Sequence, residues 1–245
     1  MKKRAVLFFL LAAVLMLAAC GKDPVDIQKE YVAMMEKPVS EHQIEKVEAY
    51  LKETIPNMSE EAADEMLIEY EAYLFPYYDG MIDYDKILQL YGSYASDDYR
   101  NLCAIKNKEQ KKPATKAGKL TISRQELCNR AAEVEHLIRG EKEKKPIHQD
   151  ADALYKTYIK LLLAGTADSP NFNLKSGRFL EDADKVYRTY AAENPDTVLA
   201  DILSQYLEYV KNMHGTLDLK NAEAVKAYYS TCTYLEAEAG KRVME

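Results

Sequence analysis

From residue 26 onward the apolar residues of this chain return at intervals of three and four, and nowhere do Val, Ile and Thr alternate with polar neighbours over the length of a strand. That period is the signature of amphipathic helices, each with one buried stripe. The residues that interrupt helices are scarce, with 9 glycines and 8 prolines in 245 positions. The expected fold is all-α: helical hairpins or a bundle of about ten helices.

Caps and breakers place those helices. Asp26 to Glu36 carries Ile27, Tyr31, Met34 and Met35 on one stripe. Ser40 caps a second helix through about Thr54, with Ile44, Val47 and Leu51 inward, and Pro56-Asn57 breaks it. Ser59 opens a third with Ala63, Met66, Tyr70, Tyr73 and Leu74 inward, ending before Pro76. After a turn at Tyr78-Asp79-Gly80, Asp83 caps a helix with Tyr84, Ile87, Leu88, Tyr91 and Tyr94 inward, and Ser96 starts another that runs to about Lys108. Residues 106–119 (KNKEQKKPATKAGK) read as an exposed basic linker. Ser123 with Glu126 is a capping-box pattern for a helix to about Arg139, and RGEKEKKP (139–146) is a second linker. Helices follow from about Asp150 to Ala164 and from Arg178 to Glu193, separated by a loop at 165–177. Asn194 and Pro195 open the next, which ends at Gly215, and Leu219 to about Ala239 is the last.

Three segments recur. DIQKEYVAMM (26–35) matches ALYKTYIKLL (153–162), ADEMLIEYEAYL (63–74) resembles ADILSQYLEYV (200–210), and DGMID (79–83) echoes HGTLD (214–218). A tandem duplication of a three- or four-helix unit explains the matches, with the longer 165–177 loop absorbing the change in offset. The plainer explanation is that amphipathic helices resemble one another. The expected organisation is a first helical unit at 26–139, a linker at 140–149 and a second unit at 150–245.

The first 21 residues, MKKRAVLFFLLAAVLMLAACG, obey a different rule. Lys2, Lys3 and Arg4 make a basic start, Ala5 to Ala19 is an unbroken apolar run, and Leu17-Ala18-Ala19-Cys20 closes it. The run falls short of the roughly 20 residues that span a bilayer comfortably. It has the proportions of a secretory apolar region followed by a small-residue cleavage site. The ending resembles the lipobox of bacterial lipoprotein precursors. That resemblance, confined to residues 1–21, implies that 1–19 are a cleaved signal peptide and that Cys20 becomes an acylated N-terminus, with 20–25 a short tether. It implies as partner the lipid bilayer and as location the extracytoplasmic face of the cell membrane. At about 0.8 kcal/mol per buried CH₂, one acyl chain is marginal and two give lasting attachment. An ordinary secretory signal and an uncleaved anchor helix are the alternatives.

Loss of residues 1–19 removes three positive charges and takes the formal charge from −7 to −10. Such an acidic chain argues against nucleic acid as a partner. Hydrophobic content of 47% with 30% charged residues is that of a globular body.

Candidate chemistry is sparse. Tyrosine is over-used, 19 in all against no tryptophan, and its flat face and hydroxyl suit a groove for peptide or glycan. Helical spacing favours core packing instead, leaving Tyr77, Tyr78 and Tyr99 at the edges of the stripes. Cys103 and Cys128 could bridge outside the cytoplasm, but the expectation is that Cys103, Cys128 and Cys232 are buried thiols. No metal site is expected. The cluster His148-Gln149-Asp150-Ala151-Asp152 reads as a helix start before it reads as a ligand set, and His42, His136 and His214 lie in no catalytic pattern. Lys106, Lys108, Lys111, Lys112, Lys116 and Lys119 could rest on anionic headgroups, although such runs are more often only solvated. With no catalytic motif and no cofactor signature, the expected function is non-enzymatic: a membrane-tethered interaction or scaffolding module with an envelope protein as partner. A ligand-binding lipoprotein that holds a small molecule, peptide or glycan between the helical halves is the runner-up, and an envelope hydrolase the third.

Overall fold

The structure, a computed structural model, describes residues 24–140 and 145–245. The signal segment and Cys20 lie outside the described residues, as do positions 141–144 of the second linker. Among the described residues the chain forms ten α-helices and two very short β-hairpins. The fold is all-α. No described helix is long and apolar enough to cross a membrane.

The chain divides into two compact units at Ser59–Glu60, not at the 140–149 linker. The first holds α1 (Pro24–Met35), α2 (Glu41–Thr54) and a single 3₁₀ turn (Ile55–Asn57). Ser40 caps α2 as expected, its side chain accepting from the Gln43 N–H. The two helices are tied by Tyr50, whose hydroxyl donates to the Ile27 carbonyl at 2.9 Å and whose ring stacks on Tyr31. Gln43 adds a bond to the Met34 carbonyl at 3.0 Å.

The second unit runs from α3 (Glu60–Leu74) and α4 (Tyr84–Tyr91) through α5 (Asp97–Lys111), α6 (Arg124–Gly140) and α7 (Pro146–Ala164). It closes with α8 (Glu181–Glu193), α9 (Val198–Asn212) and α10 (Ala222–Met244). Hairpin β1–β2 (Thr115–Lys116, Lys119–Leu120) joins α5 to α6, and β3–β4 (Gly165–Thr166, Ser169–Pro170) joins α7 to α8. α7 is the centre, packed against α3, α5, α6, α9 and α10. It is buried along one whole face through Ala151, Tyr155, Tyr158, Ile159, Leu162 and Leu163. Because α6 and α7 pack along each other, the linker between them crosses no boundary.

Several boundaries differ from the sequence reading, each for a physical reason. α5 continues to Lys111, so residues 106–111 are helix and not linker; their lysines meet carboxylates on neighbouring elements. α7 begins at Pro146, a proline preset for the first helical position, so Asp150 and Asp152 lie inside the helix. α9 is capped by Thr197, whose hydroxyl accepts from the Ala200 N–H, in place of Asn194. α4 stops at Tyr91, which leaves Tyr94 in the following turn and exposed.

Candidate functional site

Several titratable groups inside the second unit are engaged with one another. Glu71 of α3 is buried and accepts the Tyr99 hydroxyl at 2.6 Å and the Lys106 ammonium at 2.8 Å. Lys106 also pairs with Asp150 and lies 5.8 Å from the centre of the Tyr84 ring. Burial works against the Lys106 charge, but Glu71 and Asp150 outweigh it and the ammonium holds its proton more tightly than usual. Burial beside Glu71 pushes the Cys103 thiol up to about 12, and burial alone does the same for Cys128. Cys103, Cys128 and Cys232 are all free, buried thiols.

Two further networks follow the same rule. Arg130 is almost wholly buried and meets Glu126 at 3.0 Å, Glu109 at 2.7 Å and the Lys112 carbonyl, while the Tyr158 hydroxyl donates to the same Glu109. Glu135 of α6 reaches the start of α9, where its oxygens accept the N–H groups of Val198 at 2.7 Å and Leu199 at 2.9 Å. The Tyr155 hydroxyl and Arg139 complete its shell. A carboxylate from another helix thus satisfies amides that α9 leaves open and sits at the positive end of its dipole. Such bonded charges fix the helices they join relative to one another.

The tyrosines resolve in the same way. Twelve of the 19 are buried, and several use the hydroxyl to close the end of α7. Tyr187 donates to the Leu162 carbonyl at 2.5 Å and Tyr228 to the Leu163 carbonyl at 2.6 Å, beside the Asn171 amide that serves both. The last helical carbonyls lack an intrahelical donor, and the tyrosine hydroxyls share with Asn171 the work of supplying one. Tyr99, one of the three singled out, belongs to this buried class.

The remaining expected residues have ordinary places. His148 is buried, accepts the Lys145 N–H at Nδ1, and lies 3.5 Å from Asp98 through Nε2; Asp152 pairs with Lys156. Among the described residues no three His, Cys, Asp or Glu are arranged to hold a metal ion. Lys108 pairs with Glu133 and Lys111 with Asp85, whereas Lys112, Lys116 and Lys119 are exposed. His42 lies in α2, His136 in α6 and His214 in the turn after α9.

What is left for contact with other molecules lies on the surface. Phe75, Tyr77, Tyr78 and Met81 are 59%, 44%, 45% and 62% exposed, all in the connection between α3 and α4. The segment is ordered by its own backbone. Gly80 donates back to the Phe75 carbonyl at 2.8 Å and Met81 to Tyr78 at 2.9 Å, with Asp79 and Gly80 both in the left-handed region. The Phe75 ring packs over Gly80, where an added Cβ would meet it at 3.1 Å. Tyr77 and Tyr78 meet edge to face at 4.9 Å. Ile82 is the buried anchor and Asp83 caps α4.

The same backbone recurs at 210–218. Gly215 donates to Val210 at 2.9 Å and Thr216 to Met213 at 3.2 Å, His214 and Gly215 are left-handed, and Leu217 is the buried anchor. The DGMID and HGTLD echo therefore reflects one turn geometry used twice, once with an aromatic tip and once with a polar one. Compared with protein-family models, with curated proteins and with solved structures, the chain matches none. Its candidate site is defined by its own geometry: an all-α body with buried charge networks and an exposed aromatic loop.

Proposed function

We propose that the chain is a lipid-anchored, non-enzymatic interaction module of the bacterial cell envelope, tethered through Cys20 on the extracytoplasmic face and contacting an envelope protein through the 75–81 loop. The observation that carries this reading is the loop itself. Its four large apolar side chains expose on the order of 400 Å², the scale at which a patch on a soluble surface marks an interaction site. A flexible loop would lose entropy on binding; this one is already fixed by Gly80 and Ile82. Covering that area yields about 10 kcal/mol before association costs, which leaves a weak contact in free solution. Two acyl chains on Cys20 would hold the module beside its partner and raise the effective concentration. The consumption of Glu71, Glu135 and Arg130 in structural networks supports the non-enzymatic part.

The test is photo-cross-linking in intact cells from position 78, with position 234 on the exposed face of α10 as the control. A discrete envelope protein cross-linked from 78, absent from 234 and lost in a Tyr77→Ser/Met81→Ser background, is the expected result. Adducts with lipid alone, or an identical pattern from both positions, would refute it.

A further inference from the structure

The second copy of the turn borders an open cleft of about 600 Å³ between the start of α8 and the end of α9. Its floor is apolar, made by Phe179, Leu207 and Val210, and its rim carries Arg178, Arg188 and His214. Arg188 is engaged by Asp184 at 2.9 Å, and the cleft residue Lys211 by Glu208 at 3.1 Å. Arg178 is different. Of the seven arginines among the described residues, Arg100, Arg124, Arg130, Arg139, Arg188 and Arg242 each pair with a carboxylate. Arg178 has no such partner, although this is an acidic chain with 40 carboxylate side chains against 33 lysines and arginines, and although Glu181 lines the same cleft.

The backbone beneath Arg178 is clamped. The Arg178 carbonyl accepts from the Asn173 N–H at 2.8 Å, and Arg178 bridges Thr216 in antiparallel fashion. Gly177 before it accepts from Leu217 at 2.8 Å, and Phe179 after it donates to Gly215 at 2.9 Å. Gly177 is required at that point: it sits at a φ of +67°, and a Cβ there would come within 2.3 Å of the Leu217 carbonyl. A guanidinium on a fixed backbone, without a carboxylate and beside an apolar floor, is the arrangement that receives an oxyanion in bidentate fashion. The volume lies within the range of small-molecule sites.

We infer that the α8–α9 cleft binds a small ligand with an apolar body and one carboxylate or phosphate group, the oxyanion held by Arg178 and the body laid on Phe179, Leu207 and Val210. This site is independent of Cys20 and of the 75–81 loop.

The test titrates the isotope-labelled protein with four probes, read by NMR: N-acetylleucine, its uncharged amide, phenyl phosphate and inorganic phosphate. Resonances of Gly177, Arg178 and Gly215 are expected to shift with N-acetylleucine or phenyl phosphate, the tighter of the two identifying the oxyanion. The amide is expected to bind at least about tenfold more weakly, as loss of a charge-assisted bond requires. Arg178→Gln should impose a comparable loss on the charged probe, and Lys175→Gln, outside the cleft, none. Since Arg178 is exposed, the variant is expected to keep the native spectrum elsewhere. Equal binding of N-acetylleucine and its amide by the unaltered protein would overturn the inference, as would full affinity in Arg178→Gln. Inorganic phosphate binding as tightly as phenyl phosphate, or the absence of any shift in the cleft, would overturn it as well.

Discussion

Replacing Glu135 by leucine should be among the most damaging single changes in the second unit. The side chain is buried and four donors converge on it: the N–H groups of Val198 and Leu199, the Tyr155 hydroxyl and Arg139. Leucine fills much the same space but accepts nothing. Each buried donor left without a partner costs about 1–3 kcal/mol. Three of the four are buried, and Arg139 can turn to water. The expected loss is about 3–9 kcal/mol, a fifth or more of the roughly 5–15 kcal/mol that holds a typical domain folded. Glu135→Gln keeps one acceptor, and the Tyr155 hydroxyl can reverse to accept from the new amide, so it should lose only about 1–3 kcal/mol. The two effects are coupled: Tyr155→Phe should cost about 1 kcal/mol in the native background and close to nothing once Glu135 is leucine. Urea unfolding followed by circular dichroism measures these differences, and hydrogen exchange at the Val198 and Leu199 amides localises them. A Glu135→Leu protein within about 0.5 kcal/mol of the native one, with both amides still protected, would refute the reasoning.

Other perturbations read other parts of the structure. Lys106→Met strands Glu71 as a buried, uncompensated carboxylate and should cost about 3–5 kcal/mol, most of it recovered in the Glu71→Gln/Lys106→Met double variant; failure of the second change to rescue would contradict the pairing. Burial raises the Cys103 and Cys128 thiols from their ordinary 9 to about 12. The folded state therefore keeps protons that the unfolded chain has released. Their contribution is complete below 9 and is lost as the pH climbs toward 12, with each thiol adding a slope of about 1.4 kcal/mol per pH unit. A urea midpoint that stays level across that window would be the contrary result. Gly177→Ala should destabilise by clearly more than about 2 kcal/mol, because the Cβ meets the Leu217 carbonyl, whereas Gly215→Ala, with a similar φ but open space, should cost only about 1–2 kcal/mol; equal thermal shifts would show that backbone contact plays no part.

The helices were legible because their information is local. Ser40, Asp83 and Ser96 each cap the helix they announce, and the inward stripe Ala63, Met66, Tyr70, Tyr73, Leu74 is buried throughout. What escaped the sequence depends on partners distant along the chain. Lys106 looks like the first residue of a basic linker until Glu71 and Asp150 are brought beside it. Glu135 reads as one more surface carboxylate, since nothing near it predicts the amides 63 and 64 residues away that it accepts. The start of α7 was missed because His148 and the aspartates after it resemble a cap, although Pro146 was the better signal. Tyr77 and Tyr78 were visible as tyrosines off the buried stripe. Phe75 and Met81 were not, because their exposure follows from the left-handed pair Asp79-Gly80 turning the chain back on itself. Arg178 gave no signal at all: its distinction is the absence of a carboxylate in space.

The most direct measurement concerns Cys20. Cells expressing the native chain and a Cys20→Ser form are fed a clickable fatty acid and then fractionated. The native chain should carry the label and sediment with membranes, and the serine form should carry none and leave the membrane fraction or remain as an unprocessed precursor. A native chain that is unlabelled and released freely would contradict the anchored module.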